Sequence, residues 1–416
     1  MRFEFATATR IIFGRETAKD TGSIVGKMGR RAFVITGRSV ERAQPLIRQL
    51  KSTGMAVTQF SIPEEPTTQL ALAAVEEARR QICDMVIGIG GGSVLDTGKV
   101  VAALLTNSGQ LMDYLEVIGK GQALKQKSAP FIAIPTTAGT GTEVTSNSVL
   151  DSPEHRVKVS MRSPYMLPYL AIIDPELTYS MPRRTTAVTG LDAFTQLLEA
   201  FVSVHANPLT DGICREGLQR AARSLGRVYL DGKDVAARRD MCLASLFGGL
   251  ALANAKLGAV HGFAGPLGGM YHAAHGALCA GLLPFVMAAN IKALQSRAPD
   301  ALALDRYDEV ARLITGLPAA RAADGIAWVR NLYQQLEVKP LAAHGIAVGD
   351  FADIVAKASR ASSMRGNPIV LTKEELLEMI CVPLSMARVK CALLSLKVLK
   401  AGAYGIPDPE EIHGDR

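Results

Sequence analysis

The sequence predicts a doubly wound α/β domain at the N-terminus followed by an all-α domain. Three observations carry this prediction. Through Pro182, short β-rich runs alternate with helical stretches, the pattern of βαβ units and a mostly parallel sheet. Beyond Met181-Pro182, stretches such as TAVTGLDAFTQLLEAFVSV and MCLASLFGGLALANA carry helical periodicity and almost no strand signal. At 416 residues, 48% of them apolar, the chain exceeds the size at which a single core keeps growing and can fill two. The boundary is placed at residue 182, with an α/β domain over 1–182 and a helical domain over 183–416.

The elements follow in order. RAFVIT (31–36) is a short apolar run that ends in Gly37-Arg38-Ser39 and gives way to a helical pattern, VERAQPLIRQLKSTG (40–54). AVTQFSI (56–62) is extended again, and a helix is expected from Thr68 to Gln81. DMVIGIG (84–90) reads as a buried strand, GGSVLDTGKVVAALL as the helix after it, PFIAIPT (130–136) as a further strand and LAIIDPEL (170–177) as the last. In the helical half, Gly265-Pro266 and Gly268-Gly269 are expected to interrupt one helix so that the next returns His275 toward His261. Gly402 to Arg416 reads as a loose polar tail.

Composition narrows function before any motif does. The 46 Lys and Arg are scattered among 39 Asp and Glu with no basic tract interleaved with aromatics. The net charge of +7 therefore points to a phosphate-bearing cofactor or an anionic substrate rather than to nucleic acid. No basic-then-apolar N-terminal run resembles a signal peptide, and no uninterrupted run of 18 apolar residues could span a bilayer. The expected compartment is the cytoplasm, with no membrane partner. Six cysteines, at positions 83, 214, 242, 279, 381 and 391, form no CxxC pair and read as reduced core residues.

Two glycine-rich turns sit where such a sheet binds phosphate. GIGGGSVLD (88–96) follows a buried strand and opens a helix, so its amide hydrogens and the positive end of the helix dipole face whatever lies beyond the strand. Glycine suits the place because a pyrophosphate must approach the backbone without meeting a Cβ. The match to GxGxxG has Ser93 in its last place, and a tight strand-to-helix turn would account for it equally well. PTTAGTGTE (135–143) again follows a strand and offers threonine hydroxyls and glycines. Together the turns favour a Rossmann-like nucleotide crevice.

These residues carry a resemblance. GGGSVLDTGK, IPTTAGTGTEVT, AIIDPELT, GLDAFTQLLEAFVS and HGFAGPLGGMYHAAHG (261–276) occur in the order seen in the iron-containing, or group III, alcohol dehydrogenases, and the likeness runs from the first strand to about Asn290. The resemblance implies an N-terminal Rossmann-like domain that binds NAD or NADP and a helical domain that binds a divalent metal, usually iron or zinc. It implies an alcohol or aldehyde in the cleft between them, polarised by the metal and exchanging hydride with the nicotinamide. A homo-oligomer, specifically a dimer, is expected.

Carried over position by position, Gly90, Gly91, Gly92 and Ser93 resemble the family's pyrophosphate loop, with Asp96 and Lys99 at its usual spacing. Thr136, Thr137, Gly139 and Thr140 resemble the second loop, which runs along the cofactor toward the nicotinamide, and Lys158 the lysine placed near the cofactor. Many NAD-preferring members carry an aspartate where Gly37 stands. Its absence, with Arg38 and Ser39 beside it, points to acceptance of NADP(H). Asp192, His261 and His275 match three of the four metal ligands, but the fourth, a histidine four residues after the aspartate, is replaced by Gln196. Gly265 stands where many members carry a pocket histidine.

Asp192, His261 and His275 form a carboxylate-plus-two-imidazole set suited to a divalent ion. Gln196 becomes a weak fourth ligand or a hydrogen-bond partner to a bound water, so the ion is expected to be held weakly. His272 is either a surrogate catalytic group in the pocket or a surface or supporting residue. Gly265 shares a helical face with His261 and leaves space beside the metal position, so a longer or bulkier substrate is expected. The altered ligand set keeps two other readings open: a metal-independent reductase of the same fold acting on an oxo-acid, resembling maleylacetate reductases, and a non-catalytic nucleotide-binding protein.

Overall fold

The structure, a computed structural model, describes residues 2–271 and 273–384. His272, Cys391 and the segment from Gly402 to Arg416 lie outside the described residues. The chain forms two compact units, Met1–Leu197 with Asn207–Asn254, and Leu198–Ala206 with Ala255 onward.

The first unit contains β1 (Arg10–Phe13), α1 (Thr21–Val25), β2 (Arg31–Thr36), α2 (Gln44–Ser52), β3 (Ala56–Ser61), α3 (Thr68–Arg80), β4 (Met85–Gly90) and α4 (Gly92–Thr106). It continues through α5 (Leu111–Tyr114), β5 (Phe131–Pro135), β6 (Asn147–Ser152), β7 (Val157–Arg162) and β8 (Leu170–Ile173). The long helices α6 (Arg183–Val202), α7 (Pro208–Leu230) and α8 (Val235–Ala255) follow, with the ends of α6 and α8 entering the second unit. The sheet runs β1-β8-β5-β4-β2-β3 with every pair parallel, so the doubly wound α/β class is the observed one.

Burial explains the strands. β4 (MVIGIG) and β5 (FIAIP) are buried at every position, because a central parallel strand is covered on both faces and so reads as a continuous apolar run. Alternation sends Phe33, Ile35 and Phe131 into one core with Ala71 and Val75 of α3 and Val101 of α4. It sends Val34, Ile87 and Ile132 into the opposite core with Val25 of α1 and Leu50 of α2.

The structure differs from the sequence expectation in three places. β1 is a four-residue strand along β8, too short for a period to show. β6 and β7 form an antiparallel hairpin around Pro153–His155, with Arg156 at φ 51; their polar residues mask the alternation. The third difference is a correction. The helix expected to break at Gly265-Pro266 runs through as α9 (Ala259–Tyr271), and the break comes after Tyr271. Pro266 removes one N–H and crowds the carbonyl of Gly262, four residues back. Burial of Phe263, Ala264 and Leu267 on the same turns outweighs the loss.

The second unit holds α9, α10 (His275–Arg297), α11 (Leu302–Thr315), α12 (Ala322–Gln335), α13 (Phe351–Arg360) and α14 (Lys373–Leu384), with no strand among the described residues. α10 is long and apolar enough to cross a membrane, yet 78% of that stretch is buried inside the protein, as a core helix requires.

Candidate metal centre and nucleotide crevice

β2 leads through α2 outward to β3, whereas its neighbour β4 leads through α4 to β5 in the opposite direction. Adjacent strands whose connections diverge leave a crevice at their carboxyl ends. Gly37-Arg38-Ser39 stands there directly after β2, and Gly90 to Ser93 forms the turn from β4 into α4. Gly91 is the N-cap of α4, so the leading amides of that helix open at this edge. The second loop closes on the first: Thr136 N donates to Gly90 O at 2.9 Å, and a Cβ on Gly92 would meet Thr140 Cγ2 at 2.9 Å, so any larger residue there would push the Thr140 side chain aside. Arg38 and Ser39 are exposed.

Asp96 and Lys99 anchor the segment after that second loop. Lys99 is fully buried and donates to Thr142 Oγ1 (2.7 Å), Thr145 Oγ1 (2.8 Å) and Asn147 O (2.7 Å). Asp96 accepts from Thr142 Oγ1 and from Val149 N. Burial drives the Lys99 ammonium down to about 8 against the opposing pull of Asp96 and Glu143. It raises the Asp96 carboxyl and lifts that of buried Glu143 to about 7. Lys158, on β7, pairs with Glu65 in the connection after β3.

In the second unit three donor side chains converge. Cys279 Sγ lies 3.8 Å from His261 Nε2 and 3.6 Å from His275 Nε2, and the ligand atoms of the three lie within 4.8 Å of one another. His261 is in the first turn of α9, His275 opens α10, and Cys279 follows one turn later on the same face. Glu199, near the end of α6, orients the set. Its Oε2 accepts from His261 Nδ1 at 2.6 Å and its Oε1 from Val260 N at 2.7 Å, while Asn367 Oδ1 accepts from Ala259 N at 3.1 Å. The leading amides of α9 are thus capped by two side chains, one of them anionic at the positive end of the helix. Gly258 makes room, since a Cβ there would lie 2.9 Å from Glu199 Oε1. A carboxylate only accepts, so the ring proton stays on Nδ1 and Nε2 keeps its lone pair toward Cys279.

Asp192 is buried on α6, seven residues before Glu199 and therefore two turns earlier on one face. Gln196 Nε2 donates to Thr140 O at 3.4 Å, and its Oε1 is buried with no hydrogen-bond partner among the described residues. Gly265 lies one turn after His261, with nothing within 4 Å of where a Cβ would stand. Sequence reading overlooked Glu199 and Cys279. Their signals were present: Glu199 is seven residues after Asp192, and Cys279 four after His275, each a same-face helical spacing.

A carboxylate-backed imidazole, a second imidazole and a thiol are donors that fit a divalent transition ion. Glu199→Gln, which keeps the shape and one acceptor of the cap, is expected to weaken zinc binding by about 10- to 100-fold. Competition against a chromogenic chelator measures this, and unchanged affinity would show that Glu199 only caps α9.

A parallel sheet with glycine turns at its switch point, together with an oriented imidazole pair on buried helices, has the parts of a nucleotide-dependent metallo-oxidoreductase. Residues 8–175 match the family described as iron-containing alcohol dehydrogenase, and residues 186–382 match the C-terminal domain of the Fe-containing alcohol dehydrogenase family. The chain belongs to the iron-containing alcohol dehydrogenases. It is similar to choline dehydrogenase of Bacillus subtilis (strain 168), 32% identical over 372 residues, which are 88% of this chain and 90% of that protein. It is also similar to long-chain-alcohol dehydrogenase 1 of Geobacillus thermodenitrificans (strain NG80-2), 44% identical over 239 residues, 57% of this chain and 60% of that one. Among solved structures, sulfoacetaldehyde reductase from Bifidobacterium kashiwanohense in complex with NAD+ superposes with a TM-score of 0.81 at 28% identity, over 93% of this chain and 100% of the other.

Proposed function

We propose that this protein interconverts a long-chain alcohol and its carbonyl counterpart with NAD(P), and that Asp192, His261 and His275 hold a divalent ion. The carrying observation is the convergence of the His261 and His275 Nε2 atoms, with His261 locked by Glu199. Family membership favours this reading over an oxo-acid reductase and over a non-catalytic nucleotide binder. When bound, the ion would supply Lewis acidity and the nicotinamide the capacity for hydride exchange.

The chain's own residues do the positioning. The first-turn amides of α4 and the glycines at 90–92 receive the pyrophosphate. Gly37 presents no carboxylate to repel a 2′-phosphate, and the exposed Arg38 guanidinium is placed to hold one, so NADP(H) is accepted. Glu199 keeps the His261 proton on Nδ1. Gln196, a neutral amide turned toward Thr140, is itself a poorer donor to the ion than an imidazole. A cytoplasmic homodimer with no nucleic-acid or membrane partner completes the reading.

Stripping the full-length protein with a strong chelator is expected to abolish oxidation of an alcohol series, and Fe(II) or Zn(II) to restore it with both nicotinamides. Full activity in protein shown by elemental analysis to be metal-free would overturn the reading in favour of the metal-independent reductase. The open space at Gly265 and the similarity to a long-chain-alcohol dehydrogenase support a long substrate. Gly265→Leu should therefore cost long alcohols about tenfold more kcat/KM than ethanol. An equal loss for both would place the acyl path elsewhere.

A further inference from the structure

We infer that Cys279 is itself a metal ligand in this chain, supplying the donor that position 196 lacks, and that the centre therefore favours zinc or cobalt over iron. The inference rests on the metal reading above.

Geometry is the first support. A tetrahedral ion with metal–nitrogen bonds of about 2.0–2.1 Å and a metal–sulfur bond of about 2.3 Å separates the nitrogen and sulfur atoms by about 3.6 Å. Cys279 Sγ lies 3.6 Å from His275 Nε2 and 3.8 Å from His261 Nε2. A thiol hydrogen reaches one acceptor at a time, yet the sulfur sits almost equally close to two imidazole nitrogens. One of these, on His261, accepts rather than donates because Glu199 holds the proton on the other nitrogen. One ion would engage both ring nitrogens and the sulfur together, with the thiol proton released to solvent on binding.

The placement of the remaining groups is the second support. Cys279 follows His275 by one turn of α10, so rigid helix geometry presents both to one point. The side chain at 196 has its amide nitrogen on Thr140 O. Its carbonyl oxygen is a hard, neutral donor, whereas a thiolate is soft and anionic and selects zinc over iron. Cys242, also buried, has Thr178 beside its sulfur, so the imidazole neighbourhood of Cys279 is not a general property of buried cysteines in this chain.

Cobalt(II) loaded into the stripped full-length protein tests this by absorption rather than turnover. Wild type should show visible d–d bands together with an intense near-ultraviolet sulfur-to-cobalt charge-transfer band. Cys279→Ser and Cys279→Ala should keep the d–d bands, lose the charge-transfer band and lower zinc affinity at least about tenfold, with a smaller loss for Fe(II). Visible cobalt bands in wild type without the charge-transfer band would overturn ligation by Cys279 while leaving the metal centre standing. Absence of any cobalt band in wild type would overturn the metal centre and this inference with it.

Discussion

His261→Ala is expected to lower kcat/KM for alcohol oxidation by about 10³-fold, because under the proposed reading His261 would hold the ion, whose Lewis acidity would be worth several kcal/mol, and about 4 kcal/mol is that factor. The variant removes one Nε2 donor and strands the Glu199 carboxylate that His261 Nδ1 satisfies at 2.6 Å. A stability loss of about 1–3 kcal/mol should accompany it, from the unpaired buried acceptor. NADPH affinity should be unchanged, since the glycine turns belong to the other compact unit. Steady-state kinetics, elemental analysis and cofactor fluorescence together make the check. A variant within tenfold of wild type in kcat/KM would remove His261 from the chemistry.

Lys99→Met is expected to destabilise the first unit by about 3–5 kcal/mol, the range for removing one partner of a buried charged network. Thr142, Thr145 and Asn147 would each lose a donor, and Asp96 its nearest cation. Thermal unfolding should shift down on the order of 10 °C. The pH dependence has a definite sign. Burial lowers the Lys99 ammonium from 10.5 to about 8, so between those values the unfolded chain holds a proton that the folded chain has released. Wild-type stability therefore gains from rising pH across that window, and below it the full penalty of the buried charge stands. Methionine carries no such proton, so the stability gap between wild type and variant should widen from pH 8 upward. A gap that narrows would mean Lys99 is not the charged group inferred.

Several features were open to sequence reasoning because they depend on near neighbours in the chain. The apolar runs of β2, β4 and β5, the glycine turn after β4 and the helical periodicity beyond Pro182 each declare themselves within one window of residues. Other features resisted. β1 is too short to carry a period, and β6 and β7 are laced with serine, aspartate, lysine and arginine. Pro266 reads as a helix stop, but a stop depends on whether burial on the same turns compensates for one lost hydrogen bond, and that is decided by packing.

By itself the sequence determined a parallel α/β domain ahead of a helical one and the two glycine turns, and it singled out His261 and His275 as candidate ligands. What only the tertiary structure decided is which distant groups meet. Glu199 reaches His261 across 62 residues of chain, Lys99 reaches Asn147 across 48, and Cys279 reaches His261 across 18. The physical reason is the range of the forces involved. Periodicity and turn chemistry act between residues a few positions apart. A hydrogen bond or a shared ligand position between remote side chains exists only after apolar burial has fixed the helices that carry them.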